Sequence, residues 1–310
     1  MMSRKVLVIG LGQLGLPAAK YLKERGFATY GYDIDSRAMK IAERTLGIAQ
    51  AVDFDSGDFD VYVICVSTHK PDDMFSPQID GLLSIARKIS REARKDGALV
   101  SIESTIPKGT SKKVFEILNH RLHVVHVPHR WYALDEKEHG VNQLRVIGGV
   151  FECCLRAGLQ FYNGIDGVWK DEHERYPSDA LSVRNSLRIP LHSVSNIEIA
   201  ETTKVAENAH RYLQIAFAEE LYLYCQANNI NFPELRDALN TKWNVEILEP
   251  REGIGGHCLP KDTRMFIQSS VVGKSRILKA ATEVDQDYRR YRAVRELRPN
   301  ALTSNENDIR

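Results

Sequence analysis

The stretch that decides the fold is KVLVIGLGQLG, residues 5–15. Lys5–Ile9 is a short aliphatic run that predicts a buried strand, and three glycines follow it at the GxGxxG spacing. A helical pattern begins directly after the last of them. In this arrangement Gly10 permits a tight turn, Gly12 lets the backbone approach a pyrophosphate, and Gly15 lets the helix pack against the strand. The segment therefore predicts a strand, a turn and a helix that together bind a dinucleotide.

The residues around this turn and after the next strand predict which dinucleotide is bound. The free N–H groups and the dipole of a helix N-terminus favour phosphates, so we expect Gln13 and Leu14 to join the three glycines in the cofactor site. Asp33 ends the next strand, where a carboxylate accepts hydrogen bonds from the ribose hydroxyls and repels a 2′-phosphate. We therefore predict NAD as the cofactor, with NADP a less favoured alternative that Arg37 keeps open.

The pattern of apolar runs indicates a doubly wound sheet. Six short runs, rich in β-branched residues, alternate with helical segments, which is typical of parallel strands joined by helical crossovers. The six runs are Lys5–Ile9, Ala28–Tyr32, Val61–Val66, Ala98–Ile102, Val124–Val127 and Arg145–Ile147. We therefore predict an α/β fold with a parallel Rossmann sheet in a cofactor-binding domain that spans residues 1–195.

The rear of the chain predicts a mainly helical domain, residues 196–310. Neither glycine nor proline occurs between residues 196 and 229, where small and apolar side chains recur at a spacing near 3.6. A helix of that length, about 50 Å at 1.5 Å per residue, is longer than one small domain needs, so we expect it also to pack against a neighbour. The stretch before it, residues 165–196, is polar without a clear period, and we interpret it as irregular.

Composition excludes several classes of protein. The 310 residues are 43% hydrophobic and 27% charged, which is typical of a folded chain of about two domains. Lys and Arg number 42 against 41 Asp and Glu, so no basic field predicts a nucleic-acid partner. No apolar run approaches the roughly 20 residues that span a bilayer. The first strand begins too near Met1 for a signal peptide, so we expect a cytoplasmic protein with no membrane association.

One of the five cysteines lies in a loop suited to chemistry. Their odd number and irregular spacing predict neither a disulfide framework nor a zinc site, and we assign no metal. Cys258 stands in GIGGHCLPKD, residues 253–262, where the glycines expose backbone N–H groups and where His257 and Lys261 would raise the thiolate fraction. We interpret the other four as small buried hydrophobic residues, namely Cys65, Cys153, Cys154 and Cys225.

Further candidate residues follow two of the predicted strands and lie on the long helix. The first group lies at the carboxyl edge of the sheet, where ligands of open α/β sheets bind. Its members are Ser67, Thr68, Glu103, Ser104 and Thr105. On the helix, Lys204 and Asn208 are four residues apart and share a face, with Glu201 a turn earlier. The plain alternative for these three is a solvated polar stripe.

Seven collinear segments resemble the UDP-glucose/GDP-mannose dehydrogenase family, and most closely its UDP-N-acetylmannosamine dehydrogenase branch. They are GLGQLGLP at Gly10–Pro17, CVST at Cys65–Thr68, ESTIPKGT at Glu103–Thr110, RVIGG at Arg145–Gly149, AETTKVAENAHR at Ala200–Arg211, NTK at Asn240–Lys242 and GIGGHCLPKD at Gly253–Asp262. The resemblance covers roughly residues 4–265, and the GGHCxPxD pattern is specific by itself.

The resemblance implies oxidation of the C6 alcohol of a sugar nucleotide, of the UDP-sugar type, to a carboxylate in two NAD-dependent hydride transfers. It makes Cys258 the nucleophile that forms a thiohemiacetal and then a thioester. Lys204 and Asn208 would stabilise the oxyanion. Asp262 would order a water and Lys204, and Thr105 would hold that water near the nicotinamide. The resemblance also implies a homodimer through the long helix, residues 196–229.

The chain departs from the family pattern in three places. Pro128-His129-Arg130 stands where the family usually has Pro-Glu-Arg, so the carboxylate expected to assist water is replaced by His129, which could act as the base. A changed substrate or a lost hydrolysis step is the alternative. The stretch from Gly149 to Glu201 is about a dozen residues longer than the family pattern predicts. We also expect the family's C-terminal UDP-binding domain to be lacking, because only 48 residues follow Asp262 and they show no second βαβ pattern.

Two other functions remain open. One is a single-step dehydrogenase of the β-hydroxyacid type, which shares the glycine fingerprint and a helix-borne lysine and asparagine but needs no cysteine. The other is a regulatory protein that binds NAD, dimerises through the long helix and turns nothing over.

Overall fold

The protein is described by a computed structural model over residues 3–51, 54, 58–131, 139–164, 186–270 and 273–297. These residues form eight strands and nine helices. In chain order they are β1 (Lys5–Ile9), α1 (Gly15–Glu24), β2 (Ala28–Tyr32), α2 (Ser36–Leu46), β3 (Ala49–Gln50), β4 (Val61–Ile64), α3 (Asp80–Glu92), β5 (Leu99–Ile102), α4 (Thr110–Ile117), β6 (His123–His126), β7 (Arg145–Gly149), α5 (Glu152–Tyr162), β8 (Leu191–Ser193), α6 (Ile197–Ala227), α7 (Phe232–Leu239), α8 (Cys258–Ser269) and α9 (Arg276–Leu297).

The strands form one sheet in the order β3-β2-β1-β4-β5-β6-β7-β8. Every pair is parallel except β6 with β7. β2 and β3 lie on one side of β1, and β4 to β8 lie on the other side. The strand order therefore reverses between β1 and β4, which leaves a crevice at their carboxyl ends. That is where open α/β sheets bind their ligands. The predicted α/β class and the parallel Rossmann sheet are confirmed.

Two strands were not predicted. β3 has two residues, too few to show any periodicity. β8 lies in the stretch interpreted as irregular, and that interpretation is wrong for Leu191–Ser193, which pairs in parallel with β7. The backbone N–H of Arg145 also donates to the carbonyl of Pro190, at 3.0 Å. Pairing with a distant strand, rather than a local pattern, makes these residues extended. The rest of the polar stretch, residues 165–185, lies outside the described residues.

The central strands are buried on both faces. Val6, Leu7, Val8 and Ile9 of β1 are each at most 1% exposed, as expected for a parallel strand with helices above and below it. Burying aliphatic side chains of this size contributes about 1.5–3 kcal/mol each. The core therefore holds the end of β1, and with it the glycine turn, in a rigid position.

The chain divides into two compact units, Met1–Asp73 with Pro77–Lys204, and Met74–Ser76 with Val205–Arg310. The division falls inside α6, whereas the prediction placed the boundary before that helix. The physical reason is that the first turns of α6 pack on the sheet. A Cβ added to Gly148 of β7 would lie 2.7 Å from the Cα of Ile197, so only glycine permits this approach.

The second unit is helical where it is described, as predicted. Two small apolar clusters hold its helices, and the residues of the first are Tyr212, Ala216, Ile254 and Ala281. Those of the second are Ala218, Cys225, Phe232 and Ile247. Asn231 begins α7 by accepting the N–H of Glu234 on its side chain, at 3.2 Å. Over the described part of the chain, no helix has both the length and the apolar character that crossing a membrane requires.

Candidate functional site

The glycine turn after β1 depends on residues without side chains. Gly10 has φ +87°, and a Cβ there would lie 2.7 Å from the carbonyl oxygen of Cys65, the residue after β4. A Cβ on Gly15 would collide with the carbonyl of Gly10, because α1 begins so close to the turn. A Cβ on Gly12, by contrast, would meet nothing within 4 Å. The backbone at Gly12 therefore faces open space that a ligand can enter, as the fingerprint predicts.

Asp33 holds the glycine turn in addition to its predicted position at the end of β2. One carboxylate oxygen accepts the N–H of Leu11, at 2.7 Å, and the other accepts the N–H of Asp35, at 2.8 Å. Each oxygen retains lone-pair capacity, because a carboxylate has about four acceptor sites. The predicted ribose contact is thus compatible with a structural role that the sequence did not reveal.

A groove of about 640 Å³ lies beside the turn. It contains the predicted cofactor residues Gly12, Gln13 and Arg37. Its remaining lining was not predicted and consists of Leu11, Leu16, Pro17, Asp35, Ala38, Ile41 and Trp131. The first turn of α1 carries no acidic side chain, which leaves its N-terminal N–H groups suited to an anion. The groove joins an anion-binding turn to an apolar wall, the two surfaces that a dinucleotide needs.

Arg37 is tied to its neighbour Asp35. Its guanidinium nitrogens lie 3.2 Å from the two oxygens of the Asp35 carboxylate. Asp35 also caps α2 by accepting the backbone N–H of Arg37, at 2.9 Å. The hydrogen bond from the Arg37 side chain lowers the pKa of Asp35, so this carboxyl stays ionised and partly neutralises the arginine beside the groove.

The loops after β4 and β5 meet at the same edge of the sheet. The hydroxyl of Ser104 donates to the carbonyl of Val66, at 2.7 Å, which ties the two loops together. Ser67 is exposed there and Thr68 is buried, while Thr105 is half-buried. The predicted hydroxyl residues of the two loops are therefore neighbours at the carboxyl edge, as expected.

Glu103 does not share that position, because its side chain enters a buried polar cluster. It is 3% exposed, contacts the Nε2 of His129, accepts the hydroxyl of Tyr162, and lies 3.2 Å from a guanidinium nitrogen of Arg145. Burial by itself would raise the pKa of Glu103, but the neighbouring His129, the charge of Arg145 and the hydrogen bonds lower it to about 2. These contacts give Glu103 a structural place and argue against the predicted cofactor contact.

His129, the departure from the family pattern, belongs to this cluster. Its Nε2 faces Glu103, and the residue is 4% exposed. Burial lowers the pKa of His129 first, and the charges of Arg145 and Lys204 lower it further against the opposing effect of Glu103. The imidazole is therefore neutral near pH 7, with its orientation set by a carboxylate.

Glu201 fixes the start of α6 relative to the loop that carries Thr105. Its buried carboxylate accepts the backbone N–H groups of Gly109 and Ser111 at the start of α4, at 2.6 and 2.7 Å. A carboxylate at a helix N-terminus satisfies donors that have no partner within the helix. Lys204 stands one turn further along α6 and is half-buried. Glu201 is thus a fixed anchor for the helix, rather than part of a solvated stripe.

In the second unit, a pair of residues on α9 holds the glycine loop before Cys258. Asp285 accepts the N–H of Ile254, at 2.8 Å, and Arg289 donates to the carbonyl of the same residue, at 2.8 Å. Asp285 and Arg289 are themselves paired at 3.0 Å. Gly253 lies against the Arg289 side chain and has φ +97°, a backbone conformation that favours glycine. Both polar backbone groups of Ile254 are therefore held by one ion pair.

Cys258 is exposed and is the first residue of α8, where helix N–H groups favour a thiolate. The ring Nε2 of His257 lies 3.8 Å from its sulfur. Lys261 is directed differently from the prediction, because its ammonium pairs with Asp262 at 2.7 Å and is buried. The lysine that was expected to assist the thiol thus stabilises the next acidic residue instead.

Asp262 brings two predicted catalytic residues together. It lies one turn after Cys258 on α8, is 1% exposed, and accepts the side-chain amide of Asn208. Residues four apart on a helix share a face, so the thiol and this carboxylate are on the same side of α8. The second unit thus joins Asn208 to Asp262, which follows Cys258 by one turn of α8, and in the first unit Glu201 ties the start of α6 to the start of α4.

The predicted burial holds for three of the other cysteines and is wrong for one. Cys65, Cys154 and Cys225 are buried, but Cys153 is exposed at the start of α5. The error arises because adjacent residues of a helix point in different directions. In the first turn of α5, Cys153 faces solvent and Cys154 is buried. Sequence reasoning also missed Asp285 and Arg289, for which no local motif gives a signal.

The chain is similar to one known family over most of its length. The NAD binding domain of the UDP-glucose/GDP-mannose dehydrogenase family matches residues 4–166, and the central domain of the same family matches residues 198–287. Both matches agree with the resemblance found in the sequence motifs.

Individual relatives give the same picture. The chain is 27% identical over 308 residues to a UDP-N-acetyl-D-mannosamine dehydrogenase of Methanococcus maripaludis, covering 93% of this chain and 66% of that one. It is 28% identical to a UDP-N-acetyl-D-mannosamine dehydrogenase of Campylobacter jejuni, covering 91% and 72%. A structure of UDP-D-ManNAc dehydrogenase from Pyrococcus horikoshii superposes with a TM-score of 0.76 at 25% identity, covering 94% and 71%. The chain therefore spans about two thirds of the length of these relatives.

Removing the arginine that holds Ile254 should loosen the loop before Cys258. In Arg289→Met we expect amide hydrogen exchange of the peptide containing residues 253–257 to accelerate about tenfold or more, because a charge-assisted hydrogen bond contributes about 1.5–3 kcal/mol. Arg290→Met is the matched control, since Arg290 is an exposed neighbour that pairs with Asp287. Equal exchange in the two variants would contradict the proposed restraint.

Because of the buried Glu103 cluster, the free energy of unfolding should decrease as the pH becomes acidic. The Glu103 pKa of about 2 lies below the ordinary value of 4.5, so the stabilisation is complete above about pH 4.5 and is lost as the pH falls toward 2. Glu103→Gln should cost about 3–5 kcal/mol at pH 7, because Arg145 loses its buried partner, and should flatten the acid dependence. Urea unfolding at several pH values measures both effects. Glu152→Gln, whose side chain is 84% exposed, should change neither.

Proposed function

The chain belongs to the UDP-glucose/GDP-mannose dehydrogenase family, and from this we propose that it oxidises the C6 alcohol of a UDP-sugar to the carboxylate through Cys258. Its first domain is the family's NAD-binding domain. The single observation that carries the proposal is the group in the second unit, where the loop held at Ile254 leads into an exposed Cys258 and where Asp262 holds Asn208. Such an arrangement suits a thiol nucleophile with an adjacent polar donor.

The residues of the first unit fit NAD. The open face of Gly12 and the helix N-terminus after it would hold the pyrophosphate, with Gly10, Gln13, Leu14 and Gly15 forming the turn. Asp33 would accept the ribose hydroxyls. The ionised Asp35 carboxylate beside Arg37 would repel a 2′-phosphate, which favours NAD over NADP. When bound, NAD supplies the hydride acceptor for each oxidation.

Cys258 would allow the oxidation to proceed by two hydride transfers, the first from the alcohol and the second from a thiohemiacetal. Its thiolate adds to the carbonyl carbon of the aldehyde formed first, and the carbonyl oxygen takes up a proton to give a thiohemiacetal. Loss of that proton and of a hydride then leaves a thioester. Water cleaves the thioester into the carboxylate and the free thiolate. One alcohol and one water thus yield one carboxylate, with two hydrides and three protons released.

Lys204 and Asn208 would stabilise the negative oxygen that forms when the thiolate or water adds. A fixed cation and an amide donor are effective there because they need no reorganisation when the charge appears. Asp262 orients the Asn208 amide by accepting from one of its hydrogens, and the amide has a second hydrogen to donate. We propose that Asp262 also orders the attacking water, together with Thr105.

His129 would act as the base for that water in place of the family's glutamate. The proposal is supported by its neutral imidazole, whose pKa is lowered by burial, and by Glu103, which faces its Nε2. A carboxylate that orients an imidazole and stabilises its protonated form is a recurrent device in hydrolysis. Activity that depends on His129 would be lost as the pH falls, because the protonated ring cannot accept a proton.

The same residue also favours a second candidate, oxidation that ends after one hydride transfer. His129 is buried and its Nε2 is engaged by Glu103, so a base for thioester cleavage is less open to water than an exposed carboxylate would be. The substrate would then be an alcohol and the product a carbonyl compound, with no need for Cys258.

Counting NADH distinguishes the two candidates. With UDP-N-acetylmannosamine, the substrate type in the relatives' names, we expect two NADH per substrate consumed and about a thousandfold loss of that activity in Cys258→Ala, as is typical when a nucleophile is removed. Cys153→Ser is the matched control, since it alters another exposed thiol. A panel of other UDP- and GDP-sugars would define the sugar.

One NADH per substrate, with Cys258→Ala still active, would overturn the two-step reaction in favour of the second candidate. NAD binding without turnover on the whole panel would overturn both and leave a binding protein.

A homodimer through residues 196–229 is the proposed assembly. Phe217 and Tyr224, two turns apart on one face of α6, are 55% and 56% exposed. Large apolar side chains repeated on one exposed face are typical of an interface. Light scattering should give twice the chain mass for the native protein and the mass of one chain for Phe217→Glu. A native monomer would contradict the assembly.

A further inference from the structure

A cluster of three soft metal ligands lies in the first unit, apart from the residues described above. His123 is the first residue of β6, and Cys153 and Cys154 are in the first turn of α5. Their ligand atoms, one imidazole nitrogen and two sulfurs, all lie within 4.8 Å of one another. Cys153 is exposed, His123 half-buried and Cys154 buried.

Rigid elements bring these side chains together. The antiparallel pairing of β6 with β7 matches Val125 to Gly149, so the end of β7 lies beside the start of β6. A Cβ on Gly149 would collide with the backbone of Leu155, which shows how closely α5 follows the strand. A Cβ on Gly158 would lie 2.8 Å from side-chain atoms of Val125 and Ile147, so α5 also packs on both strands. Ligands carried by packed helices and strands are held more precisely than ligands on loops.

The cluster lies at the edge of the sheet opposite the glycine turn. His123 begins β6, whereas the cofactor residues follow the carboxyl ends of the parallel strands β1, β4 and β5. A ligand bound there would not touch the glycine turn or the loop of Thr105. Its presence can therefore be tested separately from catalysis.

We propose that His123, Cys153 and Cys154 form a binding site for Zn²⁺. Two thiolates and one imidazole are ligands that zinc prefers, and ligands bound at about 2.0–2.3 Å in a tetrahedron lie about 3.3–3.8 Å apart. The ligand atoms of the three side chains, all within 4.8 Å of one another, are already near this spacing. Three protein ligands leave a fourth position, which the exposed side of Cys153 opens to water.

The residue types also explain why the sequence does not reveal the site. His123 is distant in the chain from the two cysteines, and the familiar zinc patterns contain paired ligands two to four residues apart. Adjacent cysteines and a strand histidine come together only through the pairing of β6 with β7.

Cysteine binds zinc as the thiolate, so the two cysteines of the cluster would balance the charge of the ion.

Titration of the reduced, metal-free whole chain with Co²⁺ tests the site. Cobalt in a thiolate site gives an intense near-ultraviolet charge-transfer band and visible bands typical of four-coordination, and Zn²⁺ should displace it. We expect one Co²⁺ per chain, with the charge-transfer band lost in Cys153→Ser and the binding weakened about tenfold or more in His123→Ala. NAD binding should be unchanged in both variants, because the site is remote from the cofactor edge.

Two controls make the result specific. His192→Ala removes an exposed histidine of β8, and Cys258→Ser removes the other exposed thiol; both should retain the band. Absence of the band in the native protein, or its survival in Cys153→Ser, would overturn the proposal. A disulfide between the two cysteines with no metal uptake after reduction would overturn it as well. Cys153 and His123 are not fully buried, so the test does not depend on whether a Cys154 variant folds.

Discussion

The close approach of the β1–α1 turn to the end of β4 is the constraint on which the rest of the structure depends. Gly10 lies against the carbonyl of Cys65 with no room for a side chain, and Gly15 lies against Gly10. This contact aligns the carboxyl ends of β1 and β4. The loop after β5 is then tied to the same edge by Ser104, and the turn itself is held by Asp33. The close packing of the glycines, together with these hydrogen bonds, thus brings three loops to one crevice.

A second constraint on the structure is the cluster of polar and charged side chains buried around Glu103. Glu103 is surrounded by His129, Arg145 and Tyr162, and removing two or more charges from water is costly unless the geometry satisfies them. A carboxylate on residue 129 in the same position would repel Glu103. A neutral histidine carries no negative charge, and its Nε2 faces Glu103. The departure from the family's Pro-Glu-Arg pattern is therefore compatible with the buried cluster on electrostatic grounds.

Local patterns predicted the strands, the glycine turn and the long helix because those features arise from short-range periodicity and from residues with special backbone geometry. They did not predict β8, which is extended only because it pairs with β7. Nor did they predict the contacts of Glu201 with the start of α4 or of Arg289 with Ile254, since each joins residues far apart in the chain. The glycine-rich loop marked Cys258 and helical spacing marked Asn208, while the family resemblance added Asp262 and the catalytic roles. The structure adds that Asp262 is buried and contacts Asn208.

The two units have complementary chemistry. The first offers an anion-binding turn, a groove and a neutral histidine beside a carboxylate, and the second offers an exposed thiol at a helix N-terminus with a buried acid one turn away. In the proposed reaction this thiol becomes covalently bound to the substrate during oxidation. Rapid acid quenching during turnover of a UDP-sugar, followed by mass spectrometry of the peptide that contains Cys258, tests this step. We expect a peptide heavier by the acyl form of the sugar nucleotide, absent without NAD. Sustained NADH formation with an unmodified Cys258 peptide at every quench time would contradict it.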